Sequence, residues 1–298
     1  KGSSAAQIAS LLADAGVISG PAVFGYYSRL KGAGGWKAGE YVGFRQRSSY
    51  DQAIEVLDEG PVPPRASVVR VTEGKRLVDA LAQIARQAPG VTVGQLQAAL
   101  NSGAVTSSYL PPGSRNYEGL LFPDTYEFPE GATATSILQT MATKMEDVLD
   151  ELGYQRSEAM VGRSAYESIT IASMIEKEAG APPDEKGKIS RVIENRLDDR
   201  EPLGIDAAVL YGLGRGSGGL SKADLAAETP YNTRKVAGLP PTPICLPGRA
   251  ALAAAINPAP GPWKYYVLTV KQPPAHFFTD SYAEFQRAKN KARADGVF

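Results

Sequence analysis

The sequence contains very few of the cysteines and histidines that disulfides, metal sites and catalytic triads require. Its 298 residues include one cysteine, Cys245, and one histidine, His276. A single cysteine cannot form an intramolecular disulfide, so it leaves the redox compartment open. A single histidine argues against a histidine-rich metal site, and a catalytic triad would have to use that one imidazole. We therefore expect neither a metal nor another cofactor.

Net charge and long apolar runs are also missing. The 32 lysines and arginines balance 32 aspartates and glutamates, and no basic cluster stands out. A nucleic-acid-binding surface needs such a cluster, so we expect no nucleic-acid partner. No apolar run approaches the roughly 20 residues that cross a bilayer, and no secretory signal is visible. The abrupt start at Lys1 suggests that an amino-terminal segment has been lost.

Hydrophobic periodicity predicts an α+β protein with two parts. Pro61, Pro63 and Pro64 mark a boundary, which divides a small amino-terminal subdomain (1–62) from a larger mixed α/β catalytic domain (63–298). In the first part we predict a strand at 37–44 and helices at 3–15, 23–30 and 50–58. In the second part we predict strands at 67–71 and 265–270, and helices at 77–87, 137–149, 184–197, 250–256 (with Pro247 in its first turn) and 281–294, together with one that starts at Ser164.

The helix that starts at Ser164 carries the main candidate for chemistry. Its apolar residues fall on two sides, and Glu176 continues one apolar stripe while Glu178 falls on the other side. A carboxyl on an apolar stripe should have a raised pKa, which suits a general acid near neutral pH. The alternative is that Glu176 only pairs with a nearby lysine or arginine.

Three other segments hold weaker candidates. Glu118–Tyr126 combines acids, hydroxyls and aromatic rings, as a sugar-binding cleft does, although a turn with a structural acid fits equally well. The amide of Asn232 could bind an N-acetyl group, and the alternative is a turn asparagine. His276 lies beside two phenylalanines, and a histidine in that setting is more often a satisfied core residue.

Taken in order, several motifs resemble one family. The run Glu118–Tyr126 resembles EGxLFPDTY, and Ala172–Glu178 resembles ASxIEKE. Further matches are a helix ending in NRL at Arg191–Leu197, the LxxDpTvxYG segment at Leu203–Gly212, and YNTYxxxGLPPxPI at Tyr231–Pro243. Together they resemble the YceG-like (MltG) endolytic murein transglycosylases. Residues 60–290 match well, and residues 3–60 match the LysM-like subdomain of that family more loosely.

The resemblance implies a membrane-anchored enzyme whose catalytic domain faces the periplasm or cell wall. It implies cleavage between N-acetylmuramic acid and N-acetylglucosamine in nascent peptidoglycan strands, which ends strand elongation and leaves a 1,6-anhydro ring. Cell-wall synthases, the penicillin-binding proteins, would be its protein partners. The first glutamate of the IEKE motif, Glu176, would be the catalytic acid and base. By the same resemblance, the cleft would be lined by Glu118, Asp206, Tyr231, Asn232 and Thr233.

The sequence departs from the family pattern at three places near this cleft. Ala207 and Ala208 follow Asp206 where the family has proline and threonine, Arg234 replaces an aromatic residue, and Gln286 stands near the usual EH ending. These changes concern substrate contacts more than the reaction class. Two other functions stay open: a non-catalytic glycan-binding or scaffold module, and a muramidase-type hydrolase. The hydrolase is disfavoured because no second catalytic carboxylate is obvious.

Overall fold

The chain forms two compact units in the computed structural model, which describes residues 3–62 and 66–298. The units are Lys1–Ala66 and Ser67–Phe298, so the division falls just beyond the predicted boundary. Two prolines that predicted it, Pro63 and Pro64, lie outside the described residues. Helices combined with two small sheets confirm the mixed α/β character. The LysM-like nature of the first unit stays a prediction.

The first unit is built on three helices around a small aromatic core. The helix α1 is capped by Ser4, whose hydroxyl accepts from the backbone N–H of Gln7 while the Gln7 side chain accepts from the Ser4 N–H. Phe24 is fully buried at the centre, and its ring lies edge-on to Tyr50 with centroids 5.7 Å apart. The helices are α1 (Ala5–Asp14), α2 (Pro21–Leu30) and α3 (Tyr50–Glu59).

The strand predicted at 37–44 is wrong, because this segment is irregular. Gly43 has a φ of +99°, outside the strand region. The hydroxyl of Tyr41 donates to the carbonyl of Lys37 at 2.5 Å, so the segment bonds to itself. A strand needs a neighbouring backbone to pair with, and alternation in a sequence cannot reveal whether one exists.

The second unit holds the remaining helices and both sheets. The observed ends of helix α4 are the predicted ones, and the ends of the other predicted helices differ from prediction by a few residues. Pro247 precedes the capping residue Gly248 of α12, so it lies outside the first turn where it was predicted. The helices are α4 (Leu77–Gln87), α5 (Val93–Ser102), α6 (Ala134–Leu152), α7 (Ser157–Val161), α8 (Ala165–Glu178), α9 (Glu185–Asp198), α10 (Asp206–Gly212), α11 (Lys222–Ala226), α12 (Arg249–Ile256) and α13 (Tyr282–Ala294). Within residues 3–62 and 66–298, no helix is both long and apolar enough to cross a membrane.

Each sheet of this unit has two strands. The first pairs β1 (Ala66–Arg70) with β2 (Thr125–Pro129). The second is an antiparallel hairpin of β3 (Tyr265–Lys271) and β4 (Pro274–Thr279), in which Leu268 lies opposite His276. Alternate side chains of a strand point to opposite faces, so the register places Tyr266, His276 and Phe278 close together.

The helix α8 runs through the middle of the second unit. Every residue from Ser168 to Ile175 is buried, which fits the apolar residues found on both of its sides. Ser164 caps it as predicted, since its hydroxyl accepts from the Glu167 N–H and the Glu167 carboxylate accepts from the Ser164 N–H. The fixed start and the buried middle bring the last turn, with Glu176 and Glu178, to the edge of the core.

Candidate active site

The two glutamates at the end of α8 have different surroundings. Glu176 Oε2 lies 3.4 Å from Lys186 Nζ and accepts a hydrogen bond from the Gly248 N–H at 3.3 Å. Burial raises the pKa of Glu176, the positive charge of Lys186 opposes that rise, and the nearby Glu73 adds to it. Glu176 is thus a partly buried carboxylate with an ion-pair partner, which is the alternative that the sequence left open.

Glu178 faces a cavity of about 430 Å³. The Tyr266 hydroxyl donates to Glu178 Oε2 at 3.0 Å. Burial raises the pKa of Glu178, and the hydrogen bond from Tyr266 opposes this rise. A carboxyl with a raised pKa is better able to donate a proton to a group in the cavity. Other residues that line the cavity include Arg196, Asp206, Arg234, Lys264, Tyr265, Tyr266, His276 and Gln286.

The sequence did not offer Glu178 as a candidate, because periodicity could not show what either glutamate faces. Both glutamates extend an apolar stripe of the same buried helix, one on each side. The spacing shows that they diverge, but it cannot show which side faces a cavity. That choice depends on β3 and β4, which lie about 90 residues further along the chain and supply Tyr266 and His276.

Asp206 is the one predicted cleft residue that reaches this cavity. It is the first residue of α10, and its Oδ1 accepts from Arg234 Nε at 2.6 Å. Arg234 is the residue that stands in place of the family's aromatic side chain. The departure from the family pattern therefore adds a cation that pairs with Asp206 at the cavity.

Glu118 and Tyr231 belong to a second cluster, away from the described lining of that cavity. Glu118 Oε1 accepts from the Leu77 N–H at 2.8 Å, at the start of α4, and Oε2 accepts from the Tyr211 hydroxyl at 3.1 Å. The rings of Tyr211 and Tyr231 have centroids 5.0 Å apart. Glu118 is nearly inaccessible, and burial raises its pKa to about 7. These contacts favour a structural acid.

Because its pKa is raised in the folded state, Glu118 should make stability depend on pH. Its contribution is fully present below the ordinary value of 4.5 and is lost as pH rises to about 7. The loss is on the order of 3 kcal/mol. Glu118→Gln keeps an acceptor for the Leu77 N–H and cannot ionise. We expect this variant to lose much less stability between pH 4.5 and 8 than the wild type.

Urea unfolding at a series of pH values measures this difference. Glu127→Gln, which alters an exposed glutamate of β2, is the matched control and should keep the wild-type pH dependence. Parallel stability curves for the wild type and Glu118→Gln would contradict the prediction.

Asn232 and Thr233 are fully buried, and their side chains bond to backbone groups. The Asn232 amide donates to the carbonyls of Leu225 and Ala227 at 3.1 and 2.8 Å. The Thr233 hydroxyl accepts from the Ile205 N–H and donates to the Ile205 carbonyl, at 2.9 and 3.0 Å. Both donors of the Asn232 amide therefore already have partners, and its use for an N-acetyl group stays a prediction.

The arrangement of helices and hairpins matches a known class of structure. A crystal structure of a YceG-like protein from Listeria monocytogenes is 27% identical in sequence and aligns with a TM-score of 0.65. The alignment covers 96% of each chain. The fold is therefore that of a YceG-like protein.

Comparison at the level of sequence gives the family. The model described as the YceG-like family matches residues 1–291, and the chain therefore belongs to the YceG-like family. The resemblance inferred from the motifs is confirmed.

Relatives with similar sequences carry the name endolytic murein transglycosylase. The one from Bacillus subtilis strain 168 is 30% identical over 303 residues, which cover 97% of this chain and 82% of that protein. The one from Streptococcus pneumoniae serotype 2 strain D39 is 29% identical over 308 residues, covering 91% of this chain. The aligned part makes up 54% of the pneumococcal protein, so the chain spans about half the length of that relative.

Proposed function

We propose that the chain is an endolytic murein transglycosylase, a lyase that cuts peptidoglycan glycan strands. Family membership and the names of the relatives support the reaction class. The observation that carries the assignment at the level of residues is the buried carboxyl of Glu178, which faces a polar cavity.

We propose that Glu178, and not Glu176, acts as both acid and base. Protonated Glu178 gives its proton to the glycosidic oxygen, and the bond from that oxygen to C1 of N-acetylmuramic acid breaks. The 6-hydroxyl of the same sugar then bonds to C1, and its proton passes to the Glu178 carboxylate. The products are a free 4-hydroxyl and a 1,6-anhydro ring. No water is consumed and the carboxyl regains its proton, so one group can serve both steps.

The surroundings of the two glutamates support this choice. Glu176 is held by Lys186 and the Gly248 N–H, and both contacts favour the ionised form of its carboxyl against the effect of burial. Glu178 has a tyrosine hydroxyl as its hydrogen-bond donor and faces the cavity. Asp206, which lines the same cavity, is our candidate for a substrate contact.

The relatives' names also bear on location and partners. Since murein lies outside the cytoplasm, we propose an extracytoplasmic catalytic unit that acts on peptidoglycan strands. A single membrane anchor before this sequence, a LysM-like first unit and association with cell-wall synthases remain predictions from the family resemblance.

Mass spectrometry of digestion products tests the function. Purified protein should convert peptidoglycan strands into shorter fragments that end in 1,6-anhydro-N-acetylmuramic acid. Fragments with reducing ends would instead indicate a muramidase-type hydrolase. Binding to glycan without any cleavage would indicate a scaffold module, and either result would overturn the proposal.

A further inference from the structure

A second buried carboxylate, Glu185, lies behind the cavity that Glu178 faces. It is the first residue of α9, and its side chain is 3% exposed. Three nitrogens surround it: Glu185 Oε2 is 2.8 Å from the Gly180 nitrogen and 2.8 Å from His276 Nδ1, and Oε1 is 2.6 Å from the His276 nitrogen. The carboxylate thereby links the turn after α8 to strand β4.

The neighbouring backbone is built closely around this carboxylate. A Cβ atom on Gly180 would lie 2.6 Å from Glu185 Oε2 and 2.5 Å from the Pro274 carbonyl oxygen. The Ala181 N–H also donates to that carbonyl, at 2.7 Å. The position of Glu185 relative to β4 is therefore fixed by backbone contacts on both sides.

These contacts favour a proton on one particular nitrogen of the imidazole, Nδ1. Two of the donors to Glu185 are backbone N–H groups, which can only donate, so Glu185 serves as an acceptor. The third contact is then satisfied by a proton on His276 Nδ1. In the neutral ring, Nε2 is left with a lone pair and accepts hydrogen bonds.

The ring is held so that Nε2 can reach the cavity. Tyr266 lies edge-on to the imidazole with centroids 5.5 Å apart, and Phe278 packs on it at 6.4 Å. His276 lines the cavity together with Glu178. In the described part of the chain, Nε2 makes no hydrogen bond and is not among the buried polar atoms that lack a partner. It is therefore accessible from the cavity.

We propose that His276 binds substrate by accepting a hydrogen bond from a sugar hydroxyl at Nε2, and that Glu185 is a positioning residue that holds the Nδ1–H tautomer. Sugar hydroxyls are donors, and an imidazole with a free lone pair beside the catalytic carboxyl suits them. This role rests on the proposed function for the nature of the ligand. It explains why the chain buries a carboxylate behind its one histidine.

The tautomer can be observed directly, because a protein with one histidine gives one pair of imidazole nitrogen signals. Long-range ¹H–¹⁵N spectra of the resting protein should show Nδ1 protonated and Nε2 unprotonated. Glu185→Gln offers one amide oxygen to three donors, so Nδ1–H loses its assured acceptor and the Nε2–H form should become populated. An Nε2–H form in the wild type, or no change in Glu185→Gln, would overturn the positioning role.

Binding of a β-1,4-linked N-acetylglucosamine tetramer tests the role of His276. His276→Asn keeps a donor towards Glu185 but removes the acceptor in the cavity, so we expect about tenfold weaker binding. His276→Gln can place its carbonyl oxygen near the position of Nε2, and should bind within about threefold of wild type. Equal affinity for wild type and His276→Asn would overturn the role.

The double variant Glu185→Gln/His276→Asn shows whether Glu185 acts through the imidazole. If it does, the double variant should bind no more weakly than His276→Asn alone, because effects on one shared interaction do not add. Additive losses would contradict that link. The tautomer and binding readouts need no turnover, so their failure is distinguishable from failure of the proposed transglycosylase activity.

Discussion

Glu178→Gln should lower the rate of anhydro-product formation by at least about a thousandfold. In the proposed reaction the Glu178 carboxyl protonates the leaving oxygen and then takes up the proton of the 6-hydroxyl. An amide can do neither. General acid–base catalysis by a single side chain typically contributes a factor of about 100 to 10,000. The side chain keeps its shape and can still pair with Tyr266, so the fold should persist. Released anhydro muropeptides, quantified by mass spectrometry, measure the effect.

Glu176→Gln is the matched control, two residues earlier on the same helix. The amide oxygen can still accept from the Gly248 N–H, and the main loss is a partly exposed ion pair with Lys186. No proton in the proposed reaction passes through Glu176, so the rate should stay within about tenfold of wild type. The reverse result, an inactive Glu176→Gln with an active Glu178→Gln, would restore the assignment made from the sequence.

Gly119→Ala should destabilise the second unit by about 3 kcal/mol. Gly119 has a φ of +78°, and a left-handed conformation costs an alanine roughly 1 to 2 kcal/mol. An added Cβ would also lie 2.5 Å from Pro243 Cβ and 3.3 Å from a methyl group of Ile169. Overpacking of this kind costs about 1 to 3 kcal/mol. Urea or thermal unfolding measures the loss.

Gly113→Ala separates the two contributions. Gly113 has a similar φ of +76°, but an added Cβ meets no atom within 4 Å. The free energy of unfolding of this variant should therefore fall only by the cost of the backbone conformation, about 1 kcal/mol. Equal losses for the two variants would mean that contact with Pro243 does not explain the glycine in the EGxLFPDTY motif.

Local signals in the sequence located most of the second unit. The helices α4, α8 and α9 follow from apolar spacing and from caps such as Ser164, which are properties of neighbouring residues. The segment 37–44 was misread for the converse reason, since alternation shows which faces could be apolar but not whether a partner strand exists. Its hydrogen bonds within the segment and its left-handed Gly43 belong to an irregular path.

In the candidate site, too, the sequence predicted some features and could not predict others. Motif order was enough to identify the family, and it placed Asp206 among the cleft residues. It also offered Asn232 and Thr233, whose side chains bond to backbone groups of the protein itself. A match to a motif shows only which side chain stands at a position. That side chain can hydrogen-bond to buried backbone groups as well as bind a substrate.

The sequence by itself determined that this is a mixed α/β chain of the YceG-like family, with two glutamates on opposite sides of one buried helix. Those properties depend on residue types and on spacing within a few turns. Only the tertiary structure showed that Glu178 lines a cavity and that Glu176 pairs with Lys186, because Tyr266, Lys186 and Gly248 come from other parts of the chain. Helical periodicity fixes the angle between two side chains, but what each one meets is set by segments distant in the chain.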